Sequence, residues 1–320
     1  MTRPASRLWC AASAGPLIIV ALGSGAAGQQ PVFKARVDAV RVDVLVTRGG
    51  KPVAGLTTAD FELRDSGVPQ QIDVLSLEEV PLHLLLALDA SSSLNGQPIE
   101  HLKAAARAAV ASLRPDDRAA LVTFSHAVQK QVPWSADTAA IRAAIDSVTA
   151  AGATALTDAA FAALGLREGV EGRMLALLFS DGFDTASWLD PLAVIEQARR
   201  SDLVIDAVSL SMVPEAVTAF RRRPAVTPDD VRRWFLAEPQ LFRTEFLAAL
   251  ADETGGEVVV ANRSSDLQAV FVKIVSSFKT RYVLTYSPNN VAPSGWHPIE
   301  VRLKNKKGDV RARRGYTRYG

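Results

Sequence analysis

The chain has 320 residues, of which 48% are hydrophobic and 22% are charged, and its formal net charge is +2. These proportions are typical of globular proteins and exclude a disordered chain or a coiled coil. A near-neutral balance gives no general attraction for polyanions. At roughly 100–200 residues per domain, the length predicts two domains.

The first 28 residues predict a secretory signal peptide. Arg3 and Arg7 precede an apolar stretch over 11–22, and small residues follow up to Gly28. This order is typical of a signal that is cleaved on export, so we expect a secreted, periplasmic or cell-envelope protein. The apolar stretch is shorter than the ~20 residues that span a bilayer, so no stable transmembrane segment is expected after cleavage. Cys10, the single cysteine, lies within this signal, so we expect no disulfide in the mature chain.

Residues 29–80 form an N-terminal β segment by their pattern. Apolar and polar side chains alternate there, as at Val42, Val44 and Val46, and Gly and Pro turns interrupt the runs. A period of two between turn signals predicts a small antiparallel β unit.

The pattern changes over 81–280 to short apolar strands that alternate with helices. The strand candidates are 83–89, 119–125, 174–180, 203–209 and 257–261. Because these strands are apolar throughout, both faces of their sheet should be covered. Two helical faces are predicted, one at Ile99, Leu102, Ala106, Ala109 and Leu113, and one at Leu267, Phe271, Ile274, Val275 and Phe278. The order predicts a doubly wound, mainly parallel α/β domain.

Residues 212–244 are the least regular part of this region. They carry three consecutive arginines and four prolines, and the prolines interrupt any periodicity. Two interpretations stay open for them: an insertion that confers specificity near the site, or a solvated loop with one additional helix.

Residues 281–320 return to strand-like alternation, with Tyr282, Leu284 and Tyr286 on one face. Neither terminal β segment has enough strands to fold easily alone. We therefore predict that 281–320 pairs with 29–80 in one antiparallel β-sandwich, with the α/β domain inserted between them. Separately stable 29–80 and 81–280 fragments after limited proteolysis would contradict this hypothesis.

Five oxygen-bearing side chains follow the predicted strands at the edge where ligands bind in open α/β sheets. Asp89, Ser91 and Ser93 follow the first strand at alternating positions, Thr154 precedes a helix, and Asp181 ends the strand 174–180. Alternate side chains of an extended loop can point toward one centre. We expect the five to surround a hard divalent cation.

The chemistry of this set favours Mg²⁺, with Mn²⁺ or Ca²⁺ as alternatives. Hydroxyl and carboxylate oxygens are hard ligands, whereas zinc prefers the His and Cys side chains that are absent from the set. Five side chains, some acting through water, would leave one position of an octahedral ion open. An acidic residue of a partner protein would suit that position.

These residues resemble the metal-ion-dependent adhesion site (MIDAS) of von Willebrand factor type A domains. The family pattern is D-x-S-x-S, then a Thr after a Gly-rich turn, then an Asp followed by Gly, and Asp89, Ser91, Ser93, Thr154 and Asp181 match it in order. The flanking β segments resemble a group of secreted bacterial proteins related to these domains. The resemblance implies a Rossmann-like fold and metal-dependent binding of a protein ligand in adhesion or scaffolding.

Other interpretations of the same residues stay open. Ser91 and Ser93 could cap a helix that begins near Pro98, with Asp181 in an ordinary turn. The protein would then be a metal-independent structural module of an envelope assembly. A metal-assisted hydrolase is a third class, with His126 as its one candidate base, but no nucleophile elbow, Walker loop or H-E-x-x-H motif is present. We therefore expect a protein that is not an enzyme and assign no catalytic residue.

The densest basic stretch lies over 304–314, where Lys and Arg alternate with apolar residues. This alternation favours the solvated face of a hairpin over a nucleic-acid surface. We expect no nucleic-acid partner.

Overall fold

The computed structural model describes residues 39–75, 80–167, 170, 172–181, 183–210 and 239–319. The predicted signal peptide over 1–28, with Cys10, lies outside the described residues. The same holds for 212–238, most of the irregular segment over 212–244. Its remaining residues, from 239, belong to a helix.

Fifteen strands are present in the described residues. In chain order they are β1 (Val40–Arg48), β2 (Lys51–Pro52), β3 (Phe61–Asp65), β4 (Val68–Gln70), β5 (Asp73–Leu75), β6 (Leu82–Asp89), β7 (Arg118–Phe124), β8 (Val128–Ser135), β9 (Arg173–Ser180), β10 (Val204–Leu210), β11 (Val258–Ala261), β12 (Tyr282–Tyr286), β13 (Gly295–Leu303), β14 (Asp309–Arg311) and β15 (Gly315–Arg318). The helices described are α1 (Gln97–Ala111), α2 (Thr138–Ser147), α3 (Leu156–Gly165), α4 (Pro191–Arg200), α5 (Pro239–Thr254) and α6 (Leu267–Lys279).

A six-stranded sheet organises the α/β domain, in the order β11-β10-β9-β6-β7-β8. The first five strands in this order are mutually parallel, and β8 pairs antiparallel with β7 at the edge. The five parallel strands are those that the sequence predicts, within one residue at each end, so the predicted fold class is confirmed. β8 is not among the predicted strands because its polar residues face solvent at the edge of the sheet.

Helices cover both faces of this sheet. Helices α3, α4 and α5 pack on one face, and α1, α2 and α6 pack on the other. All five residues of the predicted apolar face of α6 are buried. Leu113 lies beyond the end of α1, where it is partly buried against the same core. A doubly covered sheet explains why its strands are apolar on both sides.

Two antiparallel sheets form a β-sandwich from both terminal segments. One sheet has the order β14-β1-β12-β5, with β2 paired to β1, and the other has the order β15-β13-β3-β4. Each sheet therefore combines strands that lie before β6 with strands that follow α6. Buried side chains from both sheets, among them Val44, Phe61, Leu63 and Leu284, form the core. The domain boundaries at 80/81 and 280/281 stay a prediction.

Candidate metal centre

Parallel pairing brings the first and third predicted site loops together. β6 ends at Asp89 and the adjacent strand β9 ends at Ser180, directly before Asp181. The two strands pair in register from Leu82 with Arg173 to Leu88 with Phe179. Because parallel strands end at the same edge of a sheet, the acidic residues at their carboxyl ends become neighbours.

Asp89 is fully buried and both of its carboxylate oxygens accept hydrogen bonds. The backbone N–H of Ser91 donates to Oδ1 at 2.9 Å, and the Ser180 hydroxyl donates to Oδ2 at 2.8 Å. Burial raises the pKa of Asp89 to about 6, although the hydrogen bonds from Ser91 and Ser180 oppose this. Because this carboxylate is buried, a positive charge beside it would stabilise its ionised form.

A chain of hydrogen bonds continues from the first loop to the third. The Ser91 and Ser93 hydroxyls lie 3.0 Å apart, and Ser93 Oγ donates to Asp181 Oδ1 at 3.0 Å. Neither serine side chain caps a helix, since Gly96 is the N-cap of α1 and the Ser91 side chain makes no capping bond to the 3₁₀ turn that it precedes. The capping interpretation of the two serines is therefore wrong.

The loop that carries Thr154 is held between the other two loops. On one side, the N–H and the hydroxyl of Ser92 both donate to the Gly152 carbonyl at 3.0 Å. On the other side, the Thr154 N–H donates to Thr185 Oγ1 at 3.1 Å, and its carbonyl accepts the Thr185 N–H at 2.9 Å. Thr154 itself is buried. All five predicted residues thus lie on loops that contact one another at one edge.

Residues 84–183, which include all five residues of this site, match the family model for the von Willebrand factor type A domain. This part of the chain is a von Willebrand factor type A domain. Domains of this family are typically modules for binding other proteins and not enzymes.

Similar proteins extend the comparison. An uncharacterized protein of Synechocystis sp. is 33% identical over 122 residues, which span 38% of this chain and only 28% of that protein. The structure of a von Willebrand factor type A protein from Catenulispora acidiphila is 14% identical, with 85% of this chain and 75% of that chain covered, at a TM-score of 0.50, which shows agreement of fold. Proximal thread matrix protein 1 from the mussel byssus, solved with a zinc-occupied MIDAS motif, is 19% identical over 66% of this chain and 49% of its own, at a TM-score of 0.48.

The oxygens of three of the five predicted residues in this von Willebrand factor type A domain lie at separations that suit ligands of one hard cation. Adjacent ligands of an octahedral ion with bonds of about 2.1 Å lie about 3 Å apart. The oxygens of Ser91, Ser93 and Asp181 already lie at successive separations of 3.0 Å. Over the described part of the chain, no group of three or more His, Cys, Asp or Glu side chains is arranged to hold a metal. A cation here would therefore depend on hydroxyl ligands, as Mg²⁺, Mn²⁺ or Ca²⁺ tolerate.

His126 lies at the same edge of the sheet but in no catalytic arrangement. Its ring is exposed, and Nδ1 lies 3.3 Å from Ser125 Oγ. The described residues place no carboxylate within hydrogen-bonding distance of the ring. The ring lies close to the backbone of Gly152, which has a φ of +81°. A Cβ added to Gly152 would lie 2.7 Å from His126 Nδ1. The His126 ring thus packs against the loop that carries Thr154, and this close contact requires glycine at position 152.

Three site residues are not among the predicted ones. Ser180 binds Asp89 directly, and its signal in the sequence is a hydroxyl at the end of an otherwise apolar strand. Asp184 accepts the N–H and the hydroxyl of Thr157 at 2.8 and 2.6 Å, at the start of α3. Asp158 accepts the Trp188 N–H at 3.1 Å. The two aspartates connect the loop after β9 to α3. No local sequence pattern predicts these hydrogen bonds.

Proposed function

We propose that this protein is an exported protein-binding module for adhesion or scaffolding, in which a divalent cation at Asp89, Ser91, Ser93, Thr154 and Asp181 binds an acidic residue of a protein ligand. The observation that carries the proposal is the hydrogen-bonded chain from Asp89 through the two serines to Asp181. The family supplies the binding role, and the hard oxygen donors support Mg²⁺, Mn²⁺ or Ca²⁺.

The electrostatics of the site explain why a cation would be needed for capture. Asp89 accepts the Ser91 backbone N–H, and Asp181 is linked to Ser91 through the Ser91 and Ser93 hydroxyls, so the site holds two carboxylates that repel an approaching anion. A dication neutralises the pair and leaves a coordination position for an incoming carboxylate. Binding of an acidic ligand should therefore require the metal.

Export would place this site outside the cytoplasm, with residues 1–28 as the cleaved signal. The described helices include none that is both long and apolar enough to cross a membrane. We propose a secreted or cell-envelope location on the pattern of the N-terminal residues.

Calorimetric titration of the chelator-treated protein with Mg²⁺ and Mn²⁺ tests the site. Asp89→Asn removes the buried charge with almost no change of shape, and Asp116→Asn removes an exposed carboxylate as the matched control. We expect saturable binding in the wild type and the control, and none in Asp89→Asn. Equal binding in all three proteins would exclude Asp89 as a ligand.

A second measurement separates the proposed function from its alternatives. The three proteins are used to capture partners from the envelope fraction, with and without chelator. Partner capture that is lost both with chelator and in Asp89→Asn supports the proposal, whereas capture unaffected by either supports a metal-independent structural module. Hydrolysis of generic ester or phosphoester substrates that disappears only in Asp89→Asn would indicate a metal-assisted hydrolase.

A further inference from the structure

A polar cavity lies at the edge of the α/β domain opposite the candidate metal centre, where this domain meets the β-sandwich. Its volume is about 430 Å³. Four arginines line it together with one acidic residue, and we call it the arginine pocket: Arg41, Arg200, Arg313, Arg318 and Asp202. Arg200 ends α4 and Asp202 precedes β10, so the pocket lies at the amino ends of the parallel strands. The candidate metal centre lies at their carboxyl ends.

Asp202, the acidic residue of the pocket, is already paired with an arginine that lies outside the pocket. Both carboxylate oxygens of Asp202 accept hydrogen bonds from Arg167, which does not line the pocket, with the Nη2–Oδ2 distance at 2.8 Å. Arg41 Nη2 reaches the same carboxylate at 3.8 Å. Arg200 and Arg318 form no ion pair within the described parts of the chain. The pocket therefore carries more positive charge than its own residues neutralise.

Arg313 is buried, so its incompletely neutralised positive charge is energetically unfavourable. Only 9% of the residue is exposed, and its Nε donates to the Gly315 carbonyl at 2.6 Å. Burial lowers the pKa of Arg313, with Asp202 as the strongest opposing charge. A buried guanidinium without a full negative partner is unfavourable, and an anion in the cavity would supply that partner.

We propose that the arginine pocket binds a phosphate group. The planar fork of a guanidinium matches phosphate oxygens with two parallel hydrogen bonds, and several arginines around one cavity suit a group with multiple charged oxygens. The Thr317 hydroxyl side chain and Tyr319 also line the pocket. The phosphate comes either as a free or soluble phosphate ester or as the headgroup of an anionic phospholipid, which present the same chemistry.

Titration with inorganic phosphate in a chloride buffer of low ionic strength tests the pocket. The double variant Arg200→Gln/Arg318→Gln removes two pocket charges while leaving the buried Arg313 in place. The control Arg142→Gln/Arg263→Gln removes two exposed arginines elsewhere. We expect one saturable site in the wild type and the control, and at least tenfold weaker binding in the pocket variant, with circular dichroism unchanged in all three.

Vesicle sedimentation distinguishes the two sources of phosphate. Binding to phosphatidylglycerol but not phosphatidylcholine vesicles, lost in the pocket variant and competed by phosphate, would identify a lipid headgroup. Phosphate binding without vesicle binding would identify a soluble phosphate. Absence of saturable phosphate binding, or an equal loss in pocket variant and control, overturns the proposal, since the second result reflects only net charge. Neither outcome depends on the metal centre.

Discussion

Asp89 has a fully buried carboxylate whose hydrogen-bond donors come from its own loop and from the neighbouring strand. The donor from its own loop is the Ser91 backbone N–H, which any residue except proline would supply at that position. The donor from the neighbouring strand is the Ser180 hydroxyl, which orients the carboxylate through a side chain. Residues that orient a metal ligand through hydrogen bonds affect metal affinity without touching the ion.

Ser180→Ala tests that positioning role. We expect metal affinity to fall about tenfold, because one oxygen of Asp89 loses its donor while the fold is unchanged. Ser209→Ala is the matched control, since Ser209 is buried and pairs with Ser180 on the adjacent strand β10. Calorimetric titration with Mg²⁺ measures both, and an equal effect of the two substitutions would contradict a specific role for Ser180.

Asp206 makes stability depend on pH in a direction that the structure determines. It lies buried 3.5 Å from Arg281, and burial raises its pKa to about 6 from 3.8. Because the folded-state value is the higher one, its stabilising contribution is complete below pH 3.8 and is lost as the pH rises through about 6. At about 1.4 kcal/mol for each pH unit, the loss is on the order of 3 kcal/mol.

The measurement is the free energy of unfolding between pH 4 and pH 7 for the wild type and Asp206→Asn. We expect the advantage of the wild type over the variant to decrease by most of that amount across the range. Asp116→Asn should follow the wild-type profile in parallel. A constant difference between wild type and Asp206→Asn would refute the assignment.

At the level of elements, the turn between α5 and β11 approaches β10 more closely than any side chain permits. A Cβ added to Gly256 would lie 1.9 Å from the Ile205 carbonyl oxygen and 2.7 Å from Asp206 Oδ1. The Asp206 carboxylate also accepts the Glu257 N–H at 2.7 Å in this turn. The glycine thus allows β11 to pair with β10 at the edge of the sheet.

Gly256→Ala should therefore destabilise the protein by about 2–4 kcal/mol, because backbone atoms of β10 cannot move aside as a flexible side chain could. Gly165→Ala at the end of α3 is the control, since its added Cβ meets nothing within 4 Å and alanine favours the helix. Chemical denaturation of both variants gives the comparison. Equal stability of the two variants would show that the turn can shift.

The helices and strands also show which elements hydrophobic periodicity can predict and which it cannot. The sequence predicts α6 accurately because one face packs on the sheet and the other faces solvent, so the pattern has the helical period. α5 is not predicted, because its described side chains from Glu245 to Ala251 are all buried and show no polar face. The edge strand β8 is not predicted for the opposite reason, since its exposed polar residues do not alternate with a continuous apolar face.

At the level of the whole molecule, buried arginines join the β-sandwich to the α/β domain. Arg173, at the start of β9, donates to Asp43 Oδ1 of β1 at 2.9 and 2.8 Å and to the Phe278 carbonyl at 2.9 Å. Its guanidinium lies 4.5 Å from the centre of the Phe278 ring, and that of Arg281 lies 5.3 Å from it. The strand that ends at the candidate metal centre thus begins at the contact with the sandwich.

Asp43→Ala should destabilise the whole protein by about 3 kcal/mol, since it leaves a buried guanidinium without its carboxylate. Adding Arg173→Met should restore part of the loss, because the second change removes the uncompensated charge. Glu62→Ala breaks a partly exposed pair with Arg64 on the sandwich and should have little effect. Thermal unfolding of these variants checks the order, and a double variant less stable than Asp43→Ala would contradict the argument.

The sequence alone predicted the five parallel strands of the α/β domain, the fold class and the set of five oxygen-bearing residues, because each depends on local periodicity or on the carboxyl end of a strand. It did not determine Ser180 as a partner of Asp89, the anchoring of the loop after β9 by Asp158 and Asp184, or the arginine pocket. Those features join residues from distant parts of the chain, and only the tertiary structure decides which of them meet. Parallel strand pairing creates the first, packing of the loop after β9 against α3 creates the second, and the contact between sandwich and α/β domain creates the third.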